Sequence, residues 1–342
     1  YEKARELTAR FIGATTANEI VFTRNTSESI NLVAYSLLLH TFAPGDRIVT
    51  TIKEHHSNFV PWQQLWSERS VDVDIWYTDR EGQLDIRALE KLITKKTKLV
   101  AVTAASNVLG TIIPIKEIVR TVKRLNSQCL VLVDAAQAVP HMPVNVADWG
   151  ADFVAFSSHK MLGPTGVGVL WGRLELLEEM KPFNYGGDMI SEVHVDHTVF
   201  KSAPHKFEAG TPHIAGVIGF GAAIEYLTRL GMQNIRDHER ELVAYAMKQF
   251  TRVEGLAFLG PKDPDVRGGV FACTLKGVHP HDIAQLLNED NICTRAGNHC
   301  AMPLHEHLGI TSTARASLYV YTTKEDIDVL IEGLIKVKKV FS

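Results

Sequence analysis

The chain has 342 residues, of which 45% are hydrophobic and 22% are charged, and its formal net charge is −3. This composition is typical of a globular protein large enough for two domains. The small net charge argues against nucleic acid or an anionic membrane as a partner, and the longest apolar runs are too short and interrupted to span a bilayer. The opening residues from Tyr1 resemble the middle of a helix rather than a signal peptide, which predicts a native segment ahead of them.

Four cysteines occur, and no two of them form a CxxC pair. This spacing gives little support to a zinc site or a disulfide framework. We therefore predict free thiols in a cytoplasmic protein that holds no metal. Cys129, Cys273 and Cys293 lie within or beside strand-like runs, where a cysteine usually fills the core or its edge.

Short β-branched runs alternate with helical stretches along the first part of the chain. Near-continuous apolar strands separated by helices predict an α/β fold with a mostly parallel sheet flanked by helices. The apolar residues at 115, 118, 119, 122 and 125 follow the spacing of one helix face, which predicts such a helix. The predicted strands cover residues 19–23, 47–51, 71–77, 98–104, 130–134, 152–157 and 167–171.

The pattern changes in the last third of the chain, where we predict a second, smaller α+β domain. Two long helices are predicted to leave the sheet before this domain, and a last amphipathic helix closes the chain. We place the large α/β domain at residues 1–225 and the small domain at residues 226–342. The predicted elements are helices at 217–230, 237–253 and 324–340 and strands near 269–275, 291–295 and 315–321.

The strongest chemical signal is the run Ser157-Ser158-His159-Lys160, which follows a buried strand and precedes a glycine-rich stretch. A lysine at the carboxyl end of a strand is well placed to form a Schiff base with a cofactor aldehyde. The flanking Ser157 and His159 can donate hydrogen bonds to a phosphate. On its own, a single lysine is more often a solvated surface charge.

Asp134 closes the apolar strand predicted at 130–134. Burying a carboxylate there is costly unless a cation pairs with it. The pyridinium nitrogen of pyridoxal 5′-phosphate (PLP) is such a cation, and an Asp partner for it recurs in PLP sites. The alternative, a strand-end Asp that caps a turn, becomes much weaker once Lys160 ends a later strand.

Other strand ends carry polar residues suited to the same cofactor. Thr26 and Ser27 begin a helical run, where backbone N–H groups and hydroxyls form a phosphate cradle. A plain helix N-cap would use the same residues, and this segment alone does not separate the two. His55 follows the next strand, where a flat imidazole can stack on a cofactor ring, and Asn107 ends another, where its amide can reach the ring or the substrate.

The run Arg-Ala-Gly-Asn-His-Cys-Ala places Cys300 in a glycine-containing loop beside Arg295 and His299. Positive charge beside a thiol favours the thiolate, which is its nucleophilic form. Arg315, at the start of a late strand, can bind a carboxylate through two hydrogen bonds. Most of these candidates follow strands, and open α/β sheets bind ligands at the carboxyl ends of their strands.

Six motifs together resemble the class-V aminotransferase superfamily of PLP fold type I, and within it the SufS-type (group II) cysteine desulfurases. They follow the family's order and spacing over essentially the whole chain. The resemblance implies an enzyme that converts L-cysteine to L-alanine, holds the sulfur as a persulfide on Cys300, and supplies it to a protein acceptor for iron–sulfur cluster assembly. The motifs are EHHSNFVPWQ (54–63), SNVLG (106–110), VDAAQAV (133–139), SSHKMLGPTG (157–166), FEAGTP (207–212) and RAGNHCAMPL (295–304).

The resemblance also implies a role for each matching residue. Lys160 would hold the cofactor covalently and act in catalysis, Cys300 would accept the sulfur, and His55 would stack on the ring. The substrate would be contacted from Asn107, Arg295 and Arg315, with Arg295 also ordering the Cys300 loop. The remaining cofactor contacts would come from Thr26, Ser27, Asp134, Gln137, Ser157, His159 and, across the interface of a homodimer, Thr211.

Three departures from the family pattern stand out. Ser158 replaces the usual Gly before His-Lys, and Asn298 replaces the first His of a His-His-Cys run. The family's N-terminal segment at the active-site mouth is missing before Tyr1, together with any substrate contact that it supplies.

Three alternatives remain open on the sequence. A selenocysteine lyase shares this scaffold and would act on L-selenocysteine. Another class-V enzyme, such as an aminotransferase or epimerase, needs no loop cysteine, so Cys300 counts against it. A non-catalytic sulfur scaffold would not need Lys160, Asp134 and His55, all of which are intact.

Overall fold

The main sheet has seven strands, in the order β1–β7–β6–β5–β4–β2–β3. The computed structural model describes residues 1–79 and 81–341, apart from the side chains of residues 38 and 39. The pairs from β6 across to β3 are parallel, and β7 runs antiparallel between β6 and β1. The strands are β1 Ile20–Thr23, β2 Arg47–Thr51, β3 Asp72–Trp76, β4 Thr97–Thr103, β5 Leu130–Asp134, β6 Phe153–Ser157 and β7 Gly168–Gly172.

Both faces of this sheet are buried, which explains why the middle of its central strands carries apolar residues on both faces. Val100 and Val102 of β4 pack into one core, whereas Leu99 and Ala101 pack into the core on the other face. A parallel sheet covered by helices on both faces produces this pattern. The predicted α/β class and the mostly parallel sheet are confirmed.

The helices flank this sheet and a smaller one. Two features interrupt the regular α-helical pattern: a π-helical turn at Ala34–Leu38, and 3₁₀ turns that include His56–Asn58 and Ser158–Lys160. The α-helices are α1 Glu2–Phe11, α2 Thr26–Val33, α3 Leu39–Thr41, α4 Val60–Arg69, α5 Ile86–Leu92, α6 Ile115–Leu125, α7 Val146–Trp149, α8 Leu174–Glu179, α9 Ile214–Leu230, α10 Met232–Phe250, α11 Pro280–Glu289, α12 Met302–His307 and α13 Lys324–Val340.

A second, antiparallel sheet carries its own core against α10, α11 and α13. Its strand order is β10–β11–β13–β12, and a separate hairpin is formed by β8 and β9. These strands are β8 Ile190–Val193, β9 Thr198–Phe200, β10 Leu256–Phe258, β11 Val270–Leu275, β12 Arg295–Gly297 and β13 Thr313–Ser317.

Within the described residues no single helix is long and apolar enough to cross a bilayer; only α9 and α10 together, bent by 72° at their junction, meet that length and composition.

The predicted domain boundary at residues 225–226 falls inside α9. This helix does not leave the sheet as predicted, because Val217, Phe220 and Ile224 pack into a core of the main sheet. The buried residues of α10 change from that core at Ile235 to the core of the second sheet at Leu242. The division into two domains remains a proposal, with this later boundary, and its predicted end at residue 342 lies outside the described residues.

Two predictions in the second sheet were wrong in position. The strand predicted at 291–295 is β12, which begins only at Arg295, because Asn291 has a left-handed φ of 59° at the end of α11. Cys293 therefore lies exposed in a connection instead of at the core. Cys129 and Cys273 are buried, as predicted, and the strand predicted at 315–321 is β13, which begins two residues earlier and ends at Ser317.

Candidate active site

A cavity of about 330 Å³ lies at the carboxyl ends of the central strands. It brings together residues that are far apart in the sequence, as expected for an α/β sheet. Most of the predicted site residues line it, whereas Cys300 and Thr211 do not. The predicted residues that line it are Thr26, Ser27, His55, Asn107, Asp134, Gln137, Ser157, His159, Lys160, Arg295 and Arg315.

One side of the cavity is rich in hydroxyl groups at the beginning of α2. The backbone N–H of Thr26 donates to Ser157 Oγ at 2.8 Å, and the Thr26 and Ser157 hydroxyls are 2.6 Å apart. Ser27 and Ser57 share a short hydrogen bond between their hydroxyls. Hydroxyls and backbone amides at a helix N-terminus stabilise an anion, so this side of the cavity suits a phosphate.

Asp134 and Lys160 are the ionisable pair of the cavity. Asp134 is only 4% exposed, and its Oδ1 accepts a hydrogen bond from the Ala136 N–H at 3.0 Å. Burial raises the pKa of Asp134, while the charge of Lys160 opposes that rise. Burial likewise lowers the pKa of Lys160, and Asp134 opposes that change. The pair therefore offers a carboxyl group that a cation in the cavity would stabilise and an amine biased toward its neutral, nucleophilic form.

His55 is held by the turn that follows β2. Its Nδ1 lies 3.0 Å from Ser57 Oγ and accepts from the Ser57 backbone N–H at 3.1 Å. Burial, reinforced by the charge of Lys160, lowers the pKa of His55 to about 4. Its imidazole is therefore neutral at pH 7, which suits stacking on an aromatic ring.

Glu54 ties this turn to two strand ends. The carboxylate of Glu54 accepts from Thr51 Oγ1 at 2.6 Å, from the Thr103 backbone N–H at 3.0 Å and from Asn58 Nδ2 at 2.6 Å. It is fully buried, and burial raises its pKa to about 7. These bonds join β2, β4 and the His56–Asn58 turn, which fixes His55 relative to the sheet.

Lys53, next to Glu54, is a fully buried lysine whose Nζ donates to the Gly82 carbonyl at 2.8 Å. Burial lowers the pKa of Lys53 from its ordinary 10.5 to about 7, although Glu54 and Asp79 oppose this. In the pH range between these two values, the unfolded chain binds more protons at Lys53 than the folded chain. The contribution of Lys53 to the free energy of unfolding therefore rises with pH in that range.

We expect Lys53→Met to raise the free energy of unfolding at pH 7 by about 2–4 kcal/mol, because one pKa unit corresponds to about 1.4 kcal/mol. Denaturant unfolding at pH 7 and pH 9 measures this, and the gap between variant and parent should narrow at the higher pH. Lys91→Met, at an exposed position of α5, is the matched control and should follow the parent. Equal stability of Lys53→Met and the parent at pH 7 would contradict the expectation.

Arg315 enters the cavity from β13 of the second sheet. Its Nη1 donates to the backbone carbonyl of Asn107 at 3.1 Å, and its Nε is buried with no hydrogen-bond partner among the described residues. A guanidinium that lines a cavity and is not fully hydrogen-bonded suits a carboxylate ligand. The Asn107 side chain, predicted to contact the substrate, bonds to the backbone beside Cys300 in this structure: its Nδ2 donates to the His299 carbonyl at 2.7 Å.

Cys300 lies between β12 and α12, where the backbone of both His299 and Cys300 is left-handed, with φ of 53° and 59°. Arg295 Nη2 donates to Cys300 Sγ at 3.7 Å, and the Cys300 N–H donates to Asn298 Oδ1 at 3.1 Å. The thiol is partly exposed. Since Arg295 and His299 line the cavity, the loop places a thiol next to the cavity and a guanidinium next to the thiol.

The family model described as aminotransferase class-V matches residues 1–330. The chain belongs to the class-V aminotransferase family. A probable cysteine desulfurase of Halalkalibacterium halodurans is 48% identical over 100% of this chain and 83% of that relative. A cysteine desulfurase of Haloferax volcanii is 43% identical over 100% of this chain and 80% of that relative.

Solved structures agree with this assignment. The crystal structure of an S-sulfonic acid form of an Escherichia coli cysteine desulfurase matches with a TM-score of 0.95 and 37% identity, covering 100% of this chain and 84% of that one. The chain is thus a class-V enzyme homologous to cysteine desulfurases, and the resemblance seen in its motifs is confirmed at that level.

The two side-chain departures from the family motifs have different surroundings. The Ser158 hydroxyl is buried without a partner among the described residues, and a Cβ added to Gly163 would meet it at 2.1 Å. Ser158 thus fills space that the glycine at position 163 leaves open. Asn298 accepts the Cys300 N–H, so it shapes the backbone turn that presents the thiol.

Thr211 lies exposed and outside this cavity, on a neighbouring depression that also contains Arg24, Gly166 and His213. Within one chain it is not brought to the cofactor cavity. Its predicted contact needs a second subunit and remains a prediction.

Sequence reasoning missed several residues that line the cavity, namely Asn25, Ser57, Ala136 and His299 as lining groups. Ser57 could have been predicted, because it lies two residues after His55 in the same motif. A tight turn brings its backbone N–H to His55 Nδ1. His299 was predicted only as a neighbour of the thiol; its contacts with Asn107 and Thr313 are made between separate segments of the chain and leave no local pattern.

Proposed function

We propose that this class-V enzyme is a PLP-dependent cysteine desulfurase that converts L-cysteine to L-alanine and keeps the sulfur as a persulfide on Cys300. The observation that carries the proposal is the partly exposed Cys300 thiol, in contact with Arg295, beside the cavity that holds Lys160 and Asp134. An aminotransferase would need the cavity but not the thiol. The names of the relatives support the same activity.

The residues of the cavity fit PLP. The buried Asp134 carboxylate would face the ring nitrogen, and a cation there would offset its desolvation. The neutral His55 would stack on the ring, and Lys160 would hold the cofactor covalently. Bound PLP would supply an electron-withdrawing ring that acidifies the substrate Cα–H bond. Gln137 would contact the ring hydroxyl, and the phosphate would be held by Thr26, Ser27, Ser157 and His159, which line the same cavity.

Two residues of the chain carry the chemistry in this proposal. Lys160, biased toward the neutral amine by burial, would take the Cα proton of the bound substrate and return a proton to Cα when alanine forms. The Cys300 thiolate attacks the substrate sulfur, so that an S–S bond forms while the Cβ–S bond breaks. The electron pair of the broken bond stays on Cβ, which takes up a proton and becomes the methyl group of alanine. Cysteine plus one thiol therefore gives alanine plus one persulfide, and no further oxidant is needed.

Arg315 would bind the substrate carboxylate, because it lines the cavity and its guanidinium is not fully hydrogen-bonded by the described residues. We expect Arg315→Ala to weaken the apparent affinity for cysteine by about 30-fold or more, since truncating a buried charge-paired contact costs about 2–5 kcal/mol. Arg315→Lys should not restore it fully, because an ammonium lacks the planar fork. Steady-state kinetics measures both variants, and unchanged kcat and KM in Arg315→Ala would assign the carboxylate to another group.

The finer parts of the function are also proposals. We propose a SufS-type enzyme that passes its persulfide to a protein acceptor of iron–sulfur cluster assembly in the cytoplasm, a role supported by the motif resemblance and by the partial exposure of Cys300. The exposed position of Thr211 is consistent with a homodimer in which it completes the site of the partner subunit.

The experiment that tests the function is incubation of the purified protein with PLP and L-cysteine. Alanine and protein-bound sulfur should form in equal amounts in the first turnover, with the added sulfur on the peptide that contains Cys300. L-Serine, which has no sulfur, is the matched control substrate. A much faster turnover of L-selenocysteine would favour the lyase alternative, and amino-group transfer to a 2-oxo acid without bound sulfur would contradict the proposal.

A further inference from the structure

His56 joins the cavity side of the sheet to the Cys300 loop, which we define as residues 297–302. Its backbone N–H donates to the Cys300 carbonyl at 2.7 Å. Its Nε2 accepts from the Met302 backbone N–H at 3.0 Å. An amide that donates to Nε2 requires this nitrogen to be unprotonated, and burial lowers the pKa of His56. A neutral His56 therefore contacts the backbone both at Cys300 and two residues after it.

The Cys300 loop needs such contacts because its conformation is costly. Two successive residues with side chains, His299 and Cys300, have left-handed φ angles, which persist only where surrounding structure holds them. Among the described residues, the backbone of this loop is bonded to the main-sheet side by His56 and by Asn107, which reaches the His299 carbonyl. Ala301, the N-cap of α12, provides no side-chain cap, so the Met302 N–H relies on His56.

The same turn carries His55 into the cavity. Glu54 fixes this turn by bonds to Thr51, Thr103 and Asn58. His55 and His56 are adjacent, and their rings are 6.3 Å apart, so one rigid element contacts both the cofactor cavity and the thiol loop. His56 thus contributes two of the hydrogen bonds that set the position of the thiol relative to the cavity, one from its side chain and one from its backbone.

We propose that His56 is a positioning residue for sulfur transfer: it holds the Cys300 loop against the cavity so that the thiolate reaches the substrate sulfur. This inference rests on the proposed desulfurase function. A displacement of reacting groups by about 1 Å can slow a reaction by about 100-fold. Loss of the His56 contact should therefore slow the sulfur step without weakening cofactor or substrate binding.

Three variants isolate the contact. His56→Phe removes the acceptor, and His56→Gln keeps an acceptor oxygen at the reach of Nε2. Met302→Pro removes the N–H that His56 accepts and puts a ring carbon in its place, which displaces the imidazole from the loop without changing residue 56; proline is tolerated at the first position of a helix. His281→Phe, at an exposed position of α11, is the matched control.

Three measurements are made on each variant: hydrogen exchange of the 297–302 peptide without substrate, persulfide formation on Cys300 in the first turnover, and cofactor content with apparent KM. In His56→Phe and Met302→Pro we expect loop exchange to be at least about tenfold faster. Persulfide formation should be about 10- to 100-fold slower. Cofactor content and KM should stay within about twofold of the parent values. A change of that size is much smaller than a tenfold loss of affinity. His56→Gln should recover most of both the exchange protection and the rate, and His281→Phe should match the parent.

Several outcomes would overturn the proposal. Parent-like persulfide rates in Met302→Pro would show that the contact is not needed, even if His56→Phe does not fold. A His56→Gln variant as slow as His56→Phe, or a rate loss explained by lost cofactor, would assign His56 another role. If the parent itself puts no sulfur on Cys300, the proposed function fails. If the loop amides of the parent are not protected from exchange, or if the variants exchange like the parent, only the positioning role fails.

Discussion

Lys160→Ala should lower alanine formation from L-cysteine by about 10³-fold or more, since a positioned proton-transfer group contributes about 10²–10⁴-fold and the variant would also lose the proposed covalent anchor of the cofactor. Lys160 is the lysine that lines the cavity, beside Asp134, with a pKa lowered by burial. Chromatographic quantification of alanine over time measures the loss. The same group should be labelled chemically: reduction of the parent with borohydride should leave the cofactor on the peptide that contains Lys160.

The control for this variant is Lys91→Ala, at an exposed position of α5, which should keep full activity. Lys160→Ala should still bind some PLP, because Thr26 and Ser157 remain in place at the beginning of α2. Alanine production by Lys160→Ala at the parent rate would remove Lys160 from the mechanism.

Cys300→Ala should abolish sulfur transfer while leaving substrate binding intact. Because none of the other three cysteines of the described chain lines the cavity, persulfide formation should fall by about 10³-fold or more, as in enzymes that lose a nucleophile. Addition of cysteine should still change the absorbance of the cofactor, since Lys160, Asp134 and Arg315 are unaltered. Mass spectrometry after one turnover should find no added sulfur.

Cys293→Ala is the matched control, because it removes an exposed thiol only seven positions away and should leave activity unchanged. Ala substitutions at the buried Cys129 and Cys273 should preserve the chemistry with a stability loss of about 1 kcal/mol. Selenium release from selenocysteine can survive in Cys300→Ala because its Cβ–Se bond is weaker. Sulfur found mainly on another cysteine, or full activity of Cys300→Ala, would leave a broader class-V enzyme in place of a desulfurase.

The sequence by itself determined the main sheet. β2 and β5 have the bounds that their sequence runs predicted, because a strand buried on both faces carries apolar or β-branched residues on each face. It also determined which side chains gather at the site: the carboxyl ends of parallel strands share one edge, so Asp134, Lys160 and His55 were predicted to meet, and they line one cavity.

The local sequence pattern was not enough to predict features that depend on packing between segments far apart in the chain. The sequence of α9 does not show which core this helix packs against. In the structure its Val217 and Phe220 pack into the main core. Cys293 lies in a run predicted as a strand, yet the left-handed Asn291 turns the chain and leaves it exposed.

The placement of the thiol was also decided by tertiary structure. Asn107 bonds to His299 from 192 positions away, and His56 bonds to Met302 from 246 positions away. A motif can show that a cysteine lies near an arginine along the chain, but the direction of its loop depends on hydrogen bonds from another part of the fold. Such bonds have no periodicity or spacing in the sequence, because their partners are brought together only when the second sheet packs against the first.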